Sequence, residues 1–164
     1  MSNIRKATPS DEHSISHVLL TTFEHLYHEM GVKMSEDRRS YLIDQATRRR
    51  FATSIVYEMD GEIIGTITLT PPSSHCEAWL DGAWDLRLLA VDPRMQGQGI
   101  GTALIEFAER QALEAGATEI CLHARRGVAH QARFYTACGY ERDAVGDLDV
   151  QPYQEGYRKR LSKS

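Results

Sequence analysis

Val91-Asp92-Pro93-Arg94-Met95-Gln96-Gly97-Gln98-Gly99-Ile100-Gly101-Thr102, VDPRMQGQGIGT, sets three glycines within five residues directly after the apolar run LRLLAV at 86–91. From Ile100 onward, Leu104, Phe107, Ala108, Ala112 and Ala115 trace one face of a helix that Gly116 ends with a left-handed cap. The stretch is therefore a strand-to-helix turn whose glycines let the backbone approach another molecule more closely than a Cβ would allow. A nucleotide P-loop is excluded, because it needs a closing Gly-Lys-Ser/Thr and the chain contains no Gly-Lys dipeptide. A dinucleotide fingerprint fails too, since the third glycine position of GxGxxG is Thr102 and five residues separate Val91 from Gly97. Two readings stay open: a plain flexible turn, or a loop reading Gln96-x-x-Gly99-x-Gly101 that aims successive N–H groups and a helix N-terminus at a pyrophosphate.

Outward from this stretch the periodicity alternates between strand and helix. Upstream, residues 4–7 form a short strand, and Thr8 and Ser10 offer capping oxygens to a helix reaching about Met30, with Ile15, Val18, Leu19, Phe23, Leu26 and Met30 at helical spacing. Residues 35–48 read as a second, more polar helix. Asp60-Gly61 is a hairpin turn between strands at 51–59 and 62–70. WDLRLLAV at 84–91 reads as a central strand buried on both faces. Downstream come a strand (TEICLHA), a helix (VAHQARFYTAC), a stop at Gly139, and strands near 140–144 and 153–161. The expected fold class is α/β (α+β), with a mixed, mostly antiparallel central sheet and helices on both faces. No repeat or linker divides the chain, so residues 1–164 are expected to form a single domain.

Composition sets the outer limits. With 164 residues, 41% hydrophobic and 26% charged, the chain can bury a core unaided. A net charge of -4 argues against nucleic acid as a partner, and the only basic cluster near a terminus, YRKRLSKS, is short. No leader-like or membrane-spanning apolar run occurs, so the expectation is a cytoplasmic protein without a membrane role. Cys76, Cys121 and Cys138 are irregularly spaced and read as reduced thiols. Seven histidines are present, but His13, His17 and His28 share the polar face of the first helix without a metal-ligand pattern, so no metal is expected.

LRLLAVDPRMQGQGIGTALIEFA resembles the acetyl-CoA-binding motif of the GNAT superfamily of N-acetyltransferases, and ARFYTACGY resembles that family's following helix. Together they span residues 85–140. The resemblance implies a GNAT-like fold with acetyl-CoA as cosubstrate. Leu89, Ala90 and Val91 would offer strand backbone to the pantetheine arm, entering between LRLLAV and EICLHA. Gln96, Gly97, Gln98, Gly99, Ile100, Gly101 and Thr102 would wrap the pyrophosphate. Val128 stands where family members often carry Asn, which removes one side-chain contact to the pantetheine.

Acetyl transfer to an amine needs a neutral nucleophile, oxyanion stabilisation and a proton for the departing thiolate. By the same resemblance Tyr135 is the general acid, and its ordinary pKa near 10 keeps it protonated at neutral pH; it can equally anchor its helix by packing. Asp85 matches a position where some members place a carboxylate base, though it can also be structural, and other acids can act through water. N–H groups around Leu89 and Val91 are the oxyanion donors. His123 can assist proton transfer or simply serve as a polar neighbour of the sheet. The segment 71–85 carries Glu77, Asp81 and Asp85 with Trp79 and Trp84 but no Lys or Arg, so it is either an acceptor arm that attracts a cationic amine or an ordinary acidic hairpin. The expected activity is direct acetyl transfer to the primary amine of a small-molecule or peptide acceptor. The alternative is a non-catalytic acyl-CoA-binding or partner-binding module. Exposed closing strands make a homodimer plausible.

Overall fold

The computed structural model describes residues 1–150 and 153–162; Lys163 and Ser164, at the end of the basic stretch, lie outside them. Seven strands form one sheet: β1 (Ser2–Lys6), β2 (Thr53–Met59), β3 (Glu62–Thr70), β4 (Trp84–Val91), β5 (Glu119–Arg125), β6 (Glu141–Arg142) and β7 (Gln154–Arg160), in the spatial order β1-β2-β3-β4-β5-β7-β6. The helices are α1 (Glu12–Met30), α2 (Glu36–Ile43), α3 (Gln45–Arg48), α4 (Ile100–Glu114) and α5 (Ala129–Ala137). Most of the pairings are antiparallel, and β4 runs parallel to β5 with residues 84–86 opposite 120–122. The mixed α/β class is the expected one.

The chain forms two compact units, Met1–Leu69 with Leu88–Ala108, and Thr70–Arg87 with Glu109–Ser164. In the first, β1 and β2 pair from Ser2↔Met59 to Lys6↔Ile55, and β2 turns into β3 at Asp60-Gly61, where both residues have positive φ as the hairpin signal requires. Helix α1 buries the expected stripe of Ile15, Val18, Leu19, Phe23 and Leu26, all at most 8% exposed. At its entrance Asp11 accepts a two-pronged pair from Arg5 at 2.7 and 3.1 Å and the N–H of Thr8 at 2.7 Å. The Arg5 guanidinium draws the Asp11 carboxyl down to about 2.

Two expectations need correction. The single helix at 35–48 is two helices, because Asp44 leaves helical backbone and turns its carboxylate to the Thr47 N–H at 3.1 Å, a local bond that competes with helix continuation. The strand buried on both faces is β3, of which residues 63–70 are all buried, whereas β4 alternates, with Arg87, Leu89 and Val91 only half-buried. The apolar run LRLLAV misled because one of its faces carries the partly exposed set.

In the second unit, β5 and β7 pair along seven residues, from Glu119↔Arg160 to Arg125↔Gln154, and β6 is only two residues long. Trp79 packs across this unit. A Cβ on Gly146 would lie 2.4 Å from its indole, so only glycine fits there. Tyr140, 2% exposed, donates to Glu109 at 2.7 Å, and Lys159 bonds the other Glu109 oxygen at 3.0 Å, tying α4 to the end of α5.

Candidate active site

The glycine stretch leaves β4 through a set of inward bonds. The Asp92 N–H donates to the Ile64 carbonyl at 2.8 Å, and the Asp92 carboxylate caps the turn at 93–95 through the Arg94 N–H at 2.9 Å. Arg94 also folds back on Asp92 at 2.7 Å and reaches Glu62 at 3.3 Å, and its guanidinium draws the Asp92 carboxyl below the usual range. Thr22 of α1 and the Gln96 amide both donate to the Val91 carbonyl, at 3.2 and 3.1 Å. Gln96 is thus a brace between loop and strand, and the Val91 carbonyl is already occupied; neither contact could be read from local sequence.

At its glycines the loop presents backbone outward. Residues 96–99 are exposed, and Gly97 and Gly99 have φ of 83° and 81°, which other residues reach only with strain. Space around both glycines is open, with nothing within 4 Å of a built Cβ. Helix α4 then begins at Ile100, which is buried and fixes the helix start; the first bond that closes on the turn runs from the Ala103 N–H to Gly99 at 3.0 Å. The preceding amides, of Ile100, Gly101 and Thr102, have no partner within the helix and carry its positive dipole end.

A feature that sequence reasoning missed precedes the loop. Leu88 has φ of 56° although it lies within a strand and is only 7% exposed. A branched side chain in left-handed backbone costs about 1–2 kcal/mol, and such strain collects at sites where the chain presents groups to a ligand. It falls two residues after the parallel pairing of 84–86 with β5.

Tyr135 lies in α5, with ring contacts to Phe134, Tyr140 and Tyr157 at 5.3, 6.3 and 6.4 Å. Burial pushes its phenol well above the ordinary value of 10, and its hydroxyl forms no hydrogen bond among the described residues. It is both a packed tyrosine and a held-protonated one. Val128 precedes α5 and is buried at 8%, filling its place with an apolar side chain.

Asp85 is 2% exposed. Its two oxygens accept from Arg87 at 2.9 and 2.6 Å and from the Glu77 N–H at 2.7 Å. Both carboxylate oxygens are therefore occupied by partners from this segment. Arg87 also pairs with Glu77 at 3.2 Å and bonds the His75 carbonyl at 2.8 Å. The segment 71–85 is therefore not a bare acidic arm, since Arg87, just beyond its end, pairs with two of its three carboxylates, Glu77 and Asp85. Trp79 donates to Asp143 at 2.8 Å and lies tilted against the His123 ring at 5.3 Å, while the His123 ring bonds the Gly146 carbonyl at 2.8 Å. Both rings are engaged within the second unit. Burial pushes the Cys121 thiol up to about 11, consistent with an inert core thiol. Among the described residues no group of His, Cys, Asp or Glu side chains gathers into a metal-ligand set.

A family model described as Acetyltransferase (GNAT) family matches residues 18–140, and the chain belongs to that family. Within it, the chain is 32% identical over 142 residues to an aminoalkylphosphonate N-acetyltransferase of Salmonella typhimurium, covering 84% of each chain. It is also 32% identical over 117 residues to an S-alkylcysteine N-acetyltransferase of Bacillus subtilis, covering 62% of this chain and 61% of that one. Solved structures agree in fold: a PaiA N-acetyltransferase of Thermoplasma acidophilum in complex with coenzyme A superposes with TM-score 0.76 at 18% identity, covering 98% and 99% of the chains. A GNAT acetyltransferase of Brucella melitensis in complex with acetyl-CoA gives 0.69 at 23%, covering 100% and 90%. The chain has the GNAT fold, and its named relatives are acetyltransferases.

Proposed function

We propose that residues 1–164 act as one N-acetyltransferase domain that moves an acetyl group from acetyl-CoA directly to the primary amine of a small acceptor. The observation that carries this reading is the exposed loop at 96–99, with positive φ at Gly97 and Gly99 leading into the first amides of α4, which a helix does not satisfy from within. Donors fixed in that arrangement suit a pyrophosphate. Gln96, Gly97, Gln98, Gly99, Ile100, Gly101 and Thr102 hold it through backbone, with Gln96 bracing the loop. Leu89 and Ala90, with the Val91 N–H, supply backbone groups to the pantetheine arm, past the turn at Leu88.

The acceptor nitrogen attacks the thioester carbon, the C–S bond breaks, and the Tyr135 hydroxyl delivers its proton to the leaving sulfur. The raised phenol pKa keeps that proton in place through neutral pH. Asp85, the base suggested by resemblance, is assigned here to positioning: it fixes Arg87 and Glu77, and water takes the amine proton. Two relatives named for aminoalkylphosphonate and S-alkylcysteine support a small amine as acceptor. No metal enters this scheme. The cytoplasm remains the expected compartment; among the described residues no helix is long and apolar enough to cross a membrane. A panel of small amines incubated with the full chain and acetyl-CoA tests the reading: amine-dependent release of free CoA thiol, matched by acetylated amine, is expected. Acetyl-CoA binding without release for any amine would leave only a binding module.

A further inference from the structure

The arginines at the helical hairpin of the first unit divide into two kinds. Arg39 pairs with Glu24 of α1 at 2.7 Å, and Arg49 pairs with Glu12. Arg38 and Arg48 have no carboxylate partner among the described residues, although Arg48 is only 2% exposed and Arg38 is half-buried. The Nε of each is buried without an acceptor. Arg48 donates to the carbonyls of Tyr41 and Leu42, the latter at 2.8 Å, at the C-terminal end of α2. Asp44 itself is turned to Thr47. Both guanidiniums stand over the Tyr41 ring, at 5.3 Å for Arg38 and 4.9 Å for Arg48, and Arg38 also lies 5.4 Å from the Phe23 ring.

Buried cations are normally paired; the Asp44 carboxylate lies near enough to act on Arg48 but forms no ion pair with either guanidinium among the described residues, and two cations beside one ring are costly unless an anion joins them. Arg48 spends its terminal nitrogens on carbonyls, so it contributes charge. Arg38 is held flat by two rings and keeps its planar fork of donors without hydrogen-bond acceptors among the described residues, a shape matched to an oxyanion. We propose that Arg38, backed by the charge of Arg48, binds the acidic group of the acceptor, a compact oxyanion such as a phosphonate or carboxylate. The acceptor is then an amine that also carries an anion, rather than the simple cation an acidic arm would select. Naming the ligand an acceptor rests on the acetyltransferase reading; oxyanion binding at Arg38 does not.

The test titrates ethylphosphonate and propionate, separately, into the full chain and into Arg38→Gln, Arg38→Lys and Gly99→Val, with acetyl-CoA affinity measured alongside. Saturable binding of either probe to the wild type is expected, weakened about tenfold or more by Arg38→Gln, less by Arg38→Lys, and retained by Gly99→Val. In turnover, the preference for 2-aminoethylphosphonate over ethylamine should collapse by a similar factor in Arg38→Gln. Binding that survives Arg38→Gln, binding lost only in Gly99→Val, or no saturable binding to the wild type overturns the proposal. A chain that binds the probes through Arg38 yet acetylates no amine would sink the acetyltransferase reading and leave the oxyanion site standing.

Discussion

Between Asp92 and Gly101 the side chains of Asp92, Arg94 and Gln96 bond back onto their own loop and strand, and Gly97 and Gly99 present peptide backbone outward. Between Cys76 and Arg87 the order is reversed: side chains form the structure, with Asp85, Arg87 and Glu77 locked in one ion cluster and Trp79 bonded to Asp143. The first region presents donors whose positions depend on φ angles. The second depends on side-chain contacts between residues two to sixty-four positions apart. A region of the first kind tolerates side-chain changes that keep its backbone; one of the second kind does not.

The largest expected effect breaks the comparison at a single side chain. Tyr135→Phe removes the proton donor and should lower kcat about a hundredfold or more, with acetyl-CoA affinity within about threefold of wild type. Stopped assays with separate acetyl-CoA titrations check both. Because burial holds the phenol above its ordinary 10, wild-type activity should show no loss of this acid below about pH 10. A descending limb well below that, absent from Tyr135→Phe, would contradict the pKa direction, and unchanged turnover in Tyr135→Phe would remove it from the mechanism.

Asp85→Asn should come next. It leaves Arg87, whose side chain is 14% exposed, without its buried partner, at a cost of about 3 kcal/mol in urea unfolding. Its pH–rate profile should keep the wild-type shape; loss of an acid limb would restore Asp85 as the base. Gln96→Ala is expected to be mild, costing about 1 kcal/mol or less for one neutral hydrogen bond, read as a several-fold weaker acetyl-CoA affinity with unchanged kcat.

Acid should affect both units alike. Arg5 holds Asp11, and Arg142 holds Asp147, at about 2 against an ordinary 3.8. Since the folded values lie below the unfolded ones, the stability these carboxylates add is present above pH 3.8 and disappears as the pH falls toward 2. Unfolding midpoints followed down that range should show it, and Arg5→Gln or Arg142→Gln should flatten the drop.

The difference between the regions also explains what the sequence revealed. The glycine stretch, the Asp60-Gly61 hairpin and the stripe of α1 are local patterns, so their residues announce them. The break at Asp44 depends on one carboxylate choosing the Thr47 amide over helix continuation, and the same residue would be unremarkable on a longer helix. The pairing of Glu77 and Asp85 is not evident from the acidic segment because Arg87 lies two residues past its end. Burial of β3 on both faces could not be told from the apolar run in β4, which is the more hydrophobic reading but carries Arg87 on its half-open face. The positive φ at Leu88 has no sequence signal at all, since leucine is among the residues least suited to it.

Titration of acetyl-CoA into the wild type and into Gly99→Val tests the central claim, that the loop backbone grips the cofactor. Among the described residues, its chain neighbours aside, nothing lies within 4 Å of the added Cβ, so the effect comes from the φ of 81° and from the ligand's approach. A loss of affinity of about a hundredfold, with the fold retained, is the predicted result; affinity equal to wild type in a folded Gly99→Val protein would contradict it.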